Sequence, residues 1–444
     1  MRIMKYVPVI LLLIIFANLT ILWVEVDVHW IIKAVYTAAS LVQWILVILK
    51  GVDAEGGNGR LVKLNRAINT LYIVGISAAI DAIIVLLWLM KTESGAAIKI
   101  TGIIVPMIGL AAVLYSSMIH LIINSRQIRI KRYLLFMLFW WVPIANIFLV
   151  RDFYRTAVRE YIEESDRMEL ENSRKSSKVC QTKYPILLVH GIFFRDWQYF
   201  NYWGRIPKVL ERNGAKVFYG KQQSSLAIAD SAQEVKEAIE KVLAETGAEK
   251  VNIIAHSKGG LDSRYAISCL GMDKYVATLT TINTPHKGCD MVDFLLKRVP
   301  DGIVKILERD YNYTFHKLGD ESPDFLAGVH DLSAEKAKTY DELMPDSPKV
   351  SYRSIMTLMS NADSARFLPL KVGYLIINKL NGPNDGLVWE GSAQHGEKYT
   401  LLRSAGDRGI SHGDIADLMR DNIHDFDVRE FYVKLVSELK EQGF

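Results

Sequence analysis

Five long apolar stretches occupy the first 150 residues of this 444-residue chain, and they constrain its fold more than any other feature. They are residues 7–24, 30–49, 68–90, 98–123 and 133–150. Each is close to the roughly 20 residues that an α-helix needs to cross about 30 Å of hydrocarbon. A cleaved secretion signal accounts for the first stretch alone, and no small-residue cleavage site follows it. The sequence therefore predicts five membrane-spanning helices over residues 1–150.

Basic residues in the short loops predict the orientation of these helices. They are concentrated before the first stretch, in the second loop and in the fourth loop: Arg2, Lys5, Lys50, Arg60, Lys63, Arg66, Arg126, Arg129, Lys131 and Arg132. The first loop has none and the third has two. This alternation predicts a multi-pass cell-membrane protein with a cytoplasmic N-terminus, and five crossings place the C-terminal part outside the cell. With one span fewer, the C-terminal part would lie on the cytoplasmic side.

Two ionisable residues, Asp81 and His120, lie within the predicted spans. An ionisable group inside a span is a functional candidate, but no second one stands at a matching depth, so packing within the bundle or a bound water is the favoured interpretation. The spans show no internal repeat, which argues against a transporter.

The balance of charge changes near residue 150. Residues 1–150 carry 13 Lys+Arg against 6 Asp+Glu, whereas residues 151–444 carry 40 against 43. Binding to a nucleic-acid backbone needs a concentrated basic face, so the second part argues against nucleic acid as a partner. Residues 151–183 are highly charged and end in a polar stretch, which predicts a helix followed by a flexible linker.

From residue 184 to 444, short apolar runs alternate with amphipathic segments. The strand candidates are 185–189, 216–219, 251–255, 276–282, 350–356 and 399–402, and the helix candidates are 203–212, 231–246 and 428–440. Strands without polar alternation that are separated by helices indicate a mostly parallel sheet covered on both faces. The predicted fold class is therefore an α-helical membrane bundle followed by an α/β domain.

The most informative segment runs from Val251 to Leu261, where an apolar strand leads into Ser257 and then into a helix. Ala255 and Gly259 stand two positions before and after the serine. This pattern is typical of a nucleophile elbow, a strained turn that exposes the hydroxyl and needs small neighbours. An ordinary small-residue turn is the alternative, since Ala255 stands where the usual pattern has glycine.

Two backbone amides are predicted to stabilise an oxyanion beside this serine. The strand at 185–189 ends in His190-Gly191, upstream of the serine, where such a site takes one of its N–H donors. The residue after the serine supplies the other. The predicted donors are the main chains of Ile192 and Lys258.

A serine nucleophile of this kind also needs an acid and then a base, in that chain order. Asp385 lies at the tip of a turn-rich loop after the apolar run 372–377, although aspartate is also common in turns. Three histidines follow it, and His412 lies beyond the last predicted strand in a loop that leads to a helix. His412 is the predicted base, His424 is the alternative, and His395 precedes that strand.

Four ordered motifs resemble those of the secreted bacterial triacylglycerol lipases of the α/β-hydrolase fold: Val-His-Gly at 189–191, Ala-His-Ser-Lys-Gly-Gly-Leu at 255–261, Thr-Pro-His-Lys-Gly at 284–288 and Asn-Asp-Gly-Leu-Val at 384–388. The similarity is to the Pseudomonas/Burkholderia type and, more loosely, to the staphylococcal and Bacillus types. It covers most of 184–444 and none of 1–183. It implies an α/β-hydrolase domain that cleaves lipid esters with Ser257 as nucleophile, Asp385 as acid and His412 as base, without a cofactor for the chemistry.

Those lipases hold a structural Ca²⁺ beside the catalytic loop, and the resemblance implies a possible calcium site here. Asp363 stands well before the acid residue and Asp414 two positions after His412, as in the family pattern. Calcium takes six to eight oxygens, so backbone carbonyls and water would complete the site. Two solvated carboxylates are the alternative.

Residues 286–350 contain amphipathic pieces and no further strand, which predicts a helical lid insertion. Phe193, Phe194 and Trp197 follow the oxyanion loop and are candidates for the acyl pocket, although core packing is the favoured interpretation.

The expected partners are a lipid ester and the bilayer. A phospholipase or a membrane acyltransferase could use the same triad, because no motif selects the head group or the acceptor. A membrane transporter or scaffold with a regulatory or silent hydrolase domain is the alternative from another class. A sensor role for the spans also stays open.

Overall fold

The structure is a computed structural model that describes residues 4–52, 59–192, 201–223, 225–317, 320–321 and 323–444. The chain divides into two compact units, Met1–Leu170 and Glu171–Phe444.

Helices build the first unit, and most of them are apolar. Among its described residues these are α1 (Val7–Ala17), α2 (Leu19–Val24), α3 (Trp30–Lys50), α4 (Arg60–Lys91), α5 (Ala96–Asn124), α6 (Ile130–Phe139) and α7 (Pro143–Arg174), the last running past the unit boundary. Side chains of α4 and α5 such as Leu64, Leu71 and Val113 form its core. Close approach of the two helices depends on Gly102, because a Cβ there would lie 2.3 Å from the Trp88 ring.

Three helices of the described residues, α3, α4 and α5, are long and apolar enough to cross a membrane. The first and the last of the five apolar stretches do not form single long helices. Residues 7–24 form two helices that meet at Asn18. Residues 133–150 are divided between α6 and α7, because Pro143 has no backbone N–H to continue a helix and favours its first position. Residues 7–24 and residues 133–150 therefore each form two helices where the sequence predicts one.

Asp81, one of the two ionisable residues within the spans, has a partner inside the first unit. It is buried, and its Oδ1 accepts a hydrogen bond of 2.5 Å from Asn18 Nδ2, at the junction of α1 and α2. His120 is half-buried, and its carbonyl accepts from Asn124 Nδ2. The Asp81 contact is what packing within the bundle predicts.

A six-stranded parallel sheet forms the centre of the second unit, in the order β2-β1-β3-β4-β5-β6. The strands are β1 (Ile186–Val189), β2 (Val217–Tyr219), β3 (Val251–His256), β4 (Val276–Ile282), β5 (Ser351–Thr357) and β6 (Lys398–Leu402). All six predicted strands are present, with bounds within one residue of those expected from the sequence.

Helices cover both faces of this sheet. Those described are α8 (Ile206–Arg212), α9 (Ile228–Thr246), α10 (Lys258–Cys269), α11 (Asp290–Arg298), α12 (Asp301–Lys317), α13 (Phe325–His330), α14 (Ala334–Leu343), α15 (Leu368–Leu380) and α16 (Val428–Glu441). Apolar residues of α8 and α16 pack on one face, against strand residues such as Ile254 and Ile355. Residues of α9 and α10 pack on the other, against Ile253 and Leu279. Because helices cover both faces of the sheet, the central strands β1, β3 and β4 are buried along their whole length.

The carboxyl ends of β1, β3 and β4 meet at one edge of the sheet, since Val189 pairs with Ala255 and Ala255 with Thr281. Ser257 and the loop after β1 therefore lie together at that edge. The predicted insertion is helical: α11 to α14 lie between β4 and β5, and the described part of this segment contains no strand.

Candidate active site

Ser257 stands alone between the last residue of β3 and the first of α10, in a backbone conformation that side chains rarely adopt (φ 57°, ψ −131°). Its N–H donates to the Ile282 carbonyl at 2.9 Å, which ties the turn to β4. The turn also needs its two glycines. A Cβ at Gly259 would lie 2.3 Å from the His190 carbonyl oxygen, and one at Gly260 2.2 Å from Thr284 Oγ1. This is the geometry of a nucleophile elbow.

Asp385 and His412 form a buried pair. The distance from His412 Nδ1 to Asp385 Oδ2 is 2.6 Å, and the His412 N–H donates to the Asp385 carbonyl at 2.8 Å. The other carboxylate oxygen, Oδ1, accepts from the backbone N–H groups of Leu387 and Val388 at 2.9 and 2.8 Å. Because Nδ1 is committed to the carboxylate, Nε2 is the ring nitrogen that can act as a base.

The other two histidines considered for the base have different partners. His424 is 61% exposed and its Nδ1 lies 2.7 Å from Asp425 Oδ2. His395 Nε2 lies 3.0 Å from Asp346 Oδ1.

The loop that carries Asp385 is anchored at the end of β5 by long-range bonds. The Met359 N–H donates to the Asn384 carbonyl, and the Ile410 N–H donates to the Leu358 carbonyl. Both the acid loop and the histidine loop are thereby joined to one strand end. The apolar run 372–377 before Asp385 belongs to α15, whose buried residues Leu370, Gly373 and Ile377 recur at helical spacing.

His256 brings the histidine loop next to the serine. Its ring centroid lies 4.5 Å from that of His412, and it immediately precedes Ser257. Its Nδ1 lies 2.6 Å from the hydroxyl of Tyr202. Burial, together with the nearby His412, lowers the pKa of His256 well below its usual value, so this ring is neutral. The sequence carried no signal for Tyr202, which lies 54 positions from its partner.

The loop after β1 passes directly beside Ser257. A Cβ added at Gly191 would lie 2.7 Å from Ser257 Cβ and 2.9 Å from the Tyr202 hydroxyl. His190 holds this loop, since its Nε2 lies 2.9 Å from the Gln222 carbonyl and its own carbonyl accepts from Gln222 Nε2. Ile192, the next residue, is buried. The loop that carries the predicted oxyanion donor thus lies close to Ser257.

Lys258, the other predicted donor, uses its side chain for packing. Its buried ammonium group donates to Asp262 Oδ1 at 2.7 Å and to Ser231 Oγ at 2.9 Å. Only its main chain remains for the oxyanion. Phe193, Phe194 and Trp197 lie outside the described residues.

Asp363 and Asp414 do not form a donor set that fits calcium. The Asp363 side chain is 91% exposed and binds Lys371 Nζ. Asp414 is buried, and its carboxylate accepts from Arg408 and from the N–H and hydroxyl of Ser411. Within the described ranges, no three Asp, Glu, His or Cys side chains lie together as a metal site.

The parallel sheet and the strand-to-helix turn at Ser257 give the second unit the fold of an α/β-hydrolase domain. Residues 184–375 match the family model of the alpha/beta hydrolase fold.

Several known proteins are similar to this region. The triacylglycerol lipase of Pseudarthrobacter phenanthrenivorans is 34% identical over 178 residues, covering 37% of this chain and 55% of that one. The triacylglycerol lipase of Burkholderia plantarii is 34% identical, covering 37% and 49%. Triacylglycerol lipase 2 of Saccharomyces cerevisiae is 26% identical over 264 residues, covering 55% and 74%. The chain thus spans about half the length of the two bacterial relatives.

Among solved structures, the Staphylococcus hyicus lipase matches with a TM-score of 0.47 and 18% identity, covering 59% of this chain and 97% of that one. The mature Bacillus licheniformis lipase BlEst2 matches with a TM-score of 0.42 and 20% identity, covering 53% and 88%.

Proposed function

We propose that this chain is a membrane-anchored serine hydrolase of lipid carboxylic esters. The observation that carries the proposal is the buried His412 Nδ1 to Asp385 Oδ2 contact of 2.6 Å beside a serine in a strained strand-to-helix turn. A histidine so oriented is the general base that a serine hydroxyl needs as a nucleophile. The triacylglycerol lipases that resemble this region support an acylglycerol or similar lipid ester as substrate.

In the first half of the reaction, Ser257 Oγ bonds to the ester carbonyl carbon while His412 Nε2 takes its proton. The carbonyl π electrons move to oxygen, and the Ile192 and Lys258 amides stabilise that charge. The C–O bond to the alcohol then breaks, and the alcohol leaves with the proton from Nε2. Asp385 keeps the imidazole in the required tautomer and stabilises its charged form.

In the second half, water replaces the alcohol. His412 takes a proton from water as the water oxygen attacks the acyl carbon. Collapse of the second tetrahedral intermediate breaks the bond to Ser257, whose oxygen regains a proton from Nε2. The products are a free fatty acid and the resting enzyme.

The helical insertion supports a lipid substrate. Helix α12 exposes Ile303, Ile306 and Leu307, and exposed apolar surface on a soluble part of a protein needs a partner. A lipid surface beside the site is the partner that this proposal supplies.

The test compares the full-length wild type with Ser257→Ala in detergent, on soluble short-chain esters, emulsified acylglycerols and phospholipids. We expect Ser257→Ala to lose on the order of 10⁶-fold in kcat. Ser268→Ala, on the same helix α10, is the matched control and should keep full activity. Ester turnover that survives in Ser257→Ala would refute the proposal. Preference for phospholipids, or transfer to an alcohol in place of water, would identify the phospholipase or acyltransferase alternative.

The side of the membrane on which the hydrolase domain lies depends on the fifth apolar stretch. Five crossings place it outside the cell. We propose that residues 7–24 still cross the membrane as α1 and α2, whereas residues 133–150, divided between α6 and α7, do not. Four crossings then remain, and the same rule for basic residues places the hydrolase domain in the cytoplasm.

Cys269 is a natural probe of this topology, because it is exposed whereas Cys180 and Cys289 are buried. A membrane-impermeant maleimide should label it only after cells are opened, with Cys269→Ser as the control. Labelling in intact cells would restore the extracellular placement.

A further inference from the structure

An arginine side chain bridges the two chain segments that carry Asp363 and Asp414. Arg408 Nη2 donates to Asp414 Oδ1 at 2.8 Å, and Arg408 Nε donates to the carbonyl of Ser364 at 2.8 Å. Ser364 is the residue directly after Asp363. The guanidinium group therefore joins the same two chain segments that the calcium ion of the resembling lipases would join.

This contact belongs to a larger ionic network on the segment after His412. Asp421 Oδ1 lies 2.9 Å from Arg366 Nη1, and its Oδ2 lies 3.3 Å from Arg408 Nη2. Asp417 receives two guanidinium bonds from Arg205, at 2.9 and 2.7 Å. The carboxylates are 0 to 5% exposed, and each lies beside an arginine. A buried carboxylate is tolerated only when a cation or several donors compensate it.

The network reaches the base through two residues. Asp414 Oδ2 accepts from both the N–H and the hydroxyl of Ser411, at 2.9 and 2.7 Å, and Ser411 is adjacent to His412. The His412 N–H in turn donates to the Asp385 carbonyl. Asp414 thus fixes the start of the turn that carries the imidazole.

We infer that Arg408 acts as an internal cation that replaces calcium and positions the His412 loop, so that the hydrolase is independent of metal. This inference rests on the proposed function. Arg408 is a positioning residue: it reaches the reaction only through Asp414 and Ser411. The planar guanidinium group suits this role, because its separate N–H groups bind the Ser364 carbonyl and the Asp414 carboxylate at the same time. A lysine ammonium group on its flexible side chain does this poorly.

The first experiment measures hydrolysis of a soluble ester by the full chain with Ca²⁺ or with a chelator. We expect equal rates for the wild type. Arg408→Ala should lower kcat on the order of 10- to 100-fold with KM unchanged, since displacement of a catalytic group by about 1 Å costs up to about 100-fold. Arg408→Lys should recover part of this loss, and millimolar guanidinium or Ca²⁺ should restore part of the Arg408→Ala rate. Arg403→Ala, an exposed arginine in the same loop, is the matched control.

A variant of Asp363 distinguishes a bound calcium ion from the arginine contact. If arginine replaces the metal, Asp363→Asn should behave as Arg403→Ala does. Loss of wild-type activity with chelator, its return with Ca²⁺, and an equal loss in Asp363→Asn would overturn the inference.

Two further measurements do not depend on turnover, so failure of the proposed function can be told apart from failure of this inference. Terbium luminescence should show no tight site in the wild type. Hydrogen exchange at the amides of residues 411–414 should quicken in Arg408→Ala and stay unchanged in Arg403→Ala. A tight terbium site, or unchanged exchange in Arg408→Ala, would refute the positioning role whether or not any ester is cleaved.

Discussion

Gly191→Ala is the sharpest single test of the oxyanion loop. In the structure the new methyl carbon would lie 2.7 Å from Ser257 Cβ, 2.9 Å from the Tyr202 hydroxyl and 3.2 Å from the His256 carbonyl oxygen. Carbon atoms in contact need about 3.5 Å or more, so the loop after β1 must move by roughly 0.8 Å. None of the three obstacles is the end of a long flexible side chain, so the loop moves rather than its neighbours.

A displacement of this size is decisive for the Ile192 amide. A hydrogen bond of about 2.9 Å that lengthens to about 3.7 Å is outside the range of useful N–H···O geometry. Loss of one oxyanion donor lowers kcat by about 10²- to 10³-fold, or about 3 to 4 kcal/mol of transition-state stabilisation. We therefore expect Gly191→Ala to lose at least about 100-fold in kcat.

The assay is steady-state hydrolysis of a soluble short-chain ester by the full chain, with thermal unfolding as the check on folding. Gly406→Ala is the matched control, because a methyl group there would meet nothing closer than 3.5 Å. If Gly191→Ala unfolds like the wild type yet keeps more than about a third of its kcat, the loop after β1 does not supply the oxyanion donor.

Three further predictions concern the acid, acid stability and the helical bundle. In Asp385→Asn, the Leu387 and Val388 N–H groups should hold the amide oxygen in the place of Oδ1. The NH₂ group then faces His412 Nδ1 and forces the unproductive tautomer of the ring. We expect kcat on the same ester to fall by about 10⁴-fold, with Tm little changed. Burial, and to a lesser extent the nearby His395 and Arg264, lowers the pKa of His286 well below 6.5. The folded state therefore binds fewer protons at this residue than the unfolded state does, and stability is lost as the pH falls below 6.5. Between pH 6.5 and 5 the lost stability amounts to at most about 2 kcal/mol. In His286→Gln the unfolding free energy should depend less on pH over that range. An identical slope in both proteins would show that His286 is not the source of the pH dependence. In Gly102→Val the new side chain should collide with the Trp88 ring and push α5 away from α4, at a cost of about 1 to 3 kcal/mol. This cost should appear as a lower unfolding temperature in detergent. Gly75→Val should leave that temperature unchanged, because a Cβ there would meet nothing within 4 Å.

The sequence predicted the sheet of the second unit well because its signals are local. Each strand is short, and in β1, β3 and β4 burial on both faces removes the polar alternation along the strand. The elbow at Ser257 was visible for the same reason, since the small residues that it requires lie within three positions of the serine.

Helix boundaries in the first unit were less predictable. Hydropathy describes how apolar a stretch is, but it does not show where the backbone breaks. Asn18 and Pro143 interrupt stretches that are apolar throughout, and both interruptions depend on local backbone geometry.

Local patterns along the chain are enough for the class of fold and for the separation of an apolar first part from an α/β second part, and they predict the order of serine, acid and base. These follow from periodicity, turn chemistry and chain order, which need no knowledge of distant contacts. Two contacts depend on the packing of the whole domain: Asp385 faces His412 across 27 positions, and Arg408 bonds to Ser364 across 44 positions. Such pairs arise where packing of the sheet and its helices brings remote loops together. The resemblance to calcium-binding lipases implied an ion at Asp363 and Asp414, whereas in the structure the Asp414 carboxylate binds Arg408 and Asp363 binds Lys371.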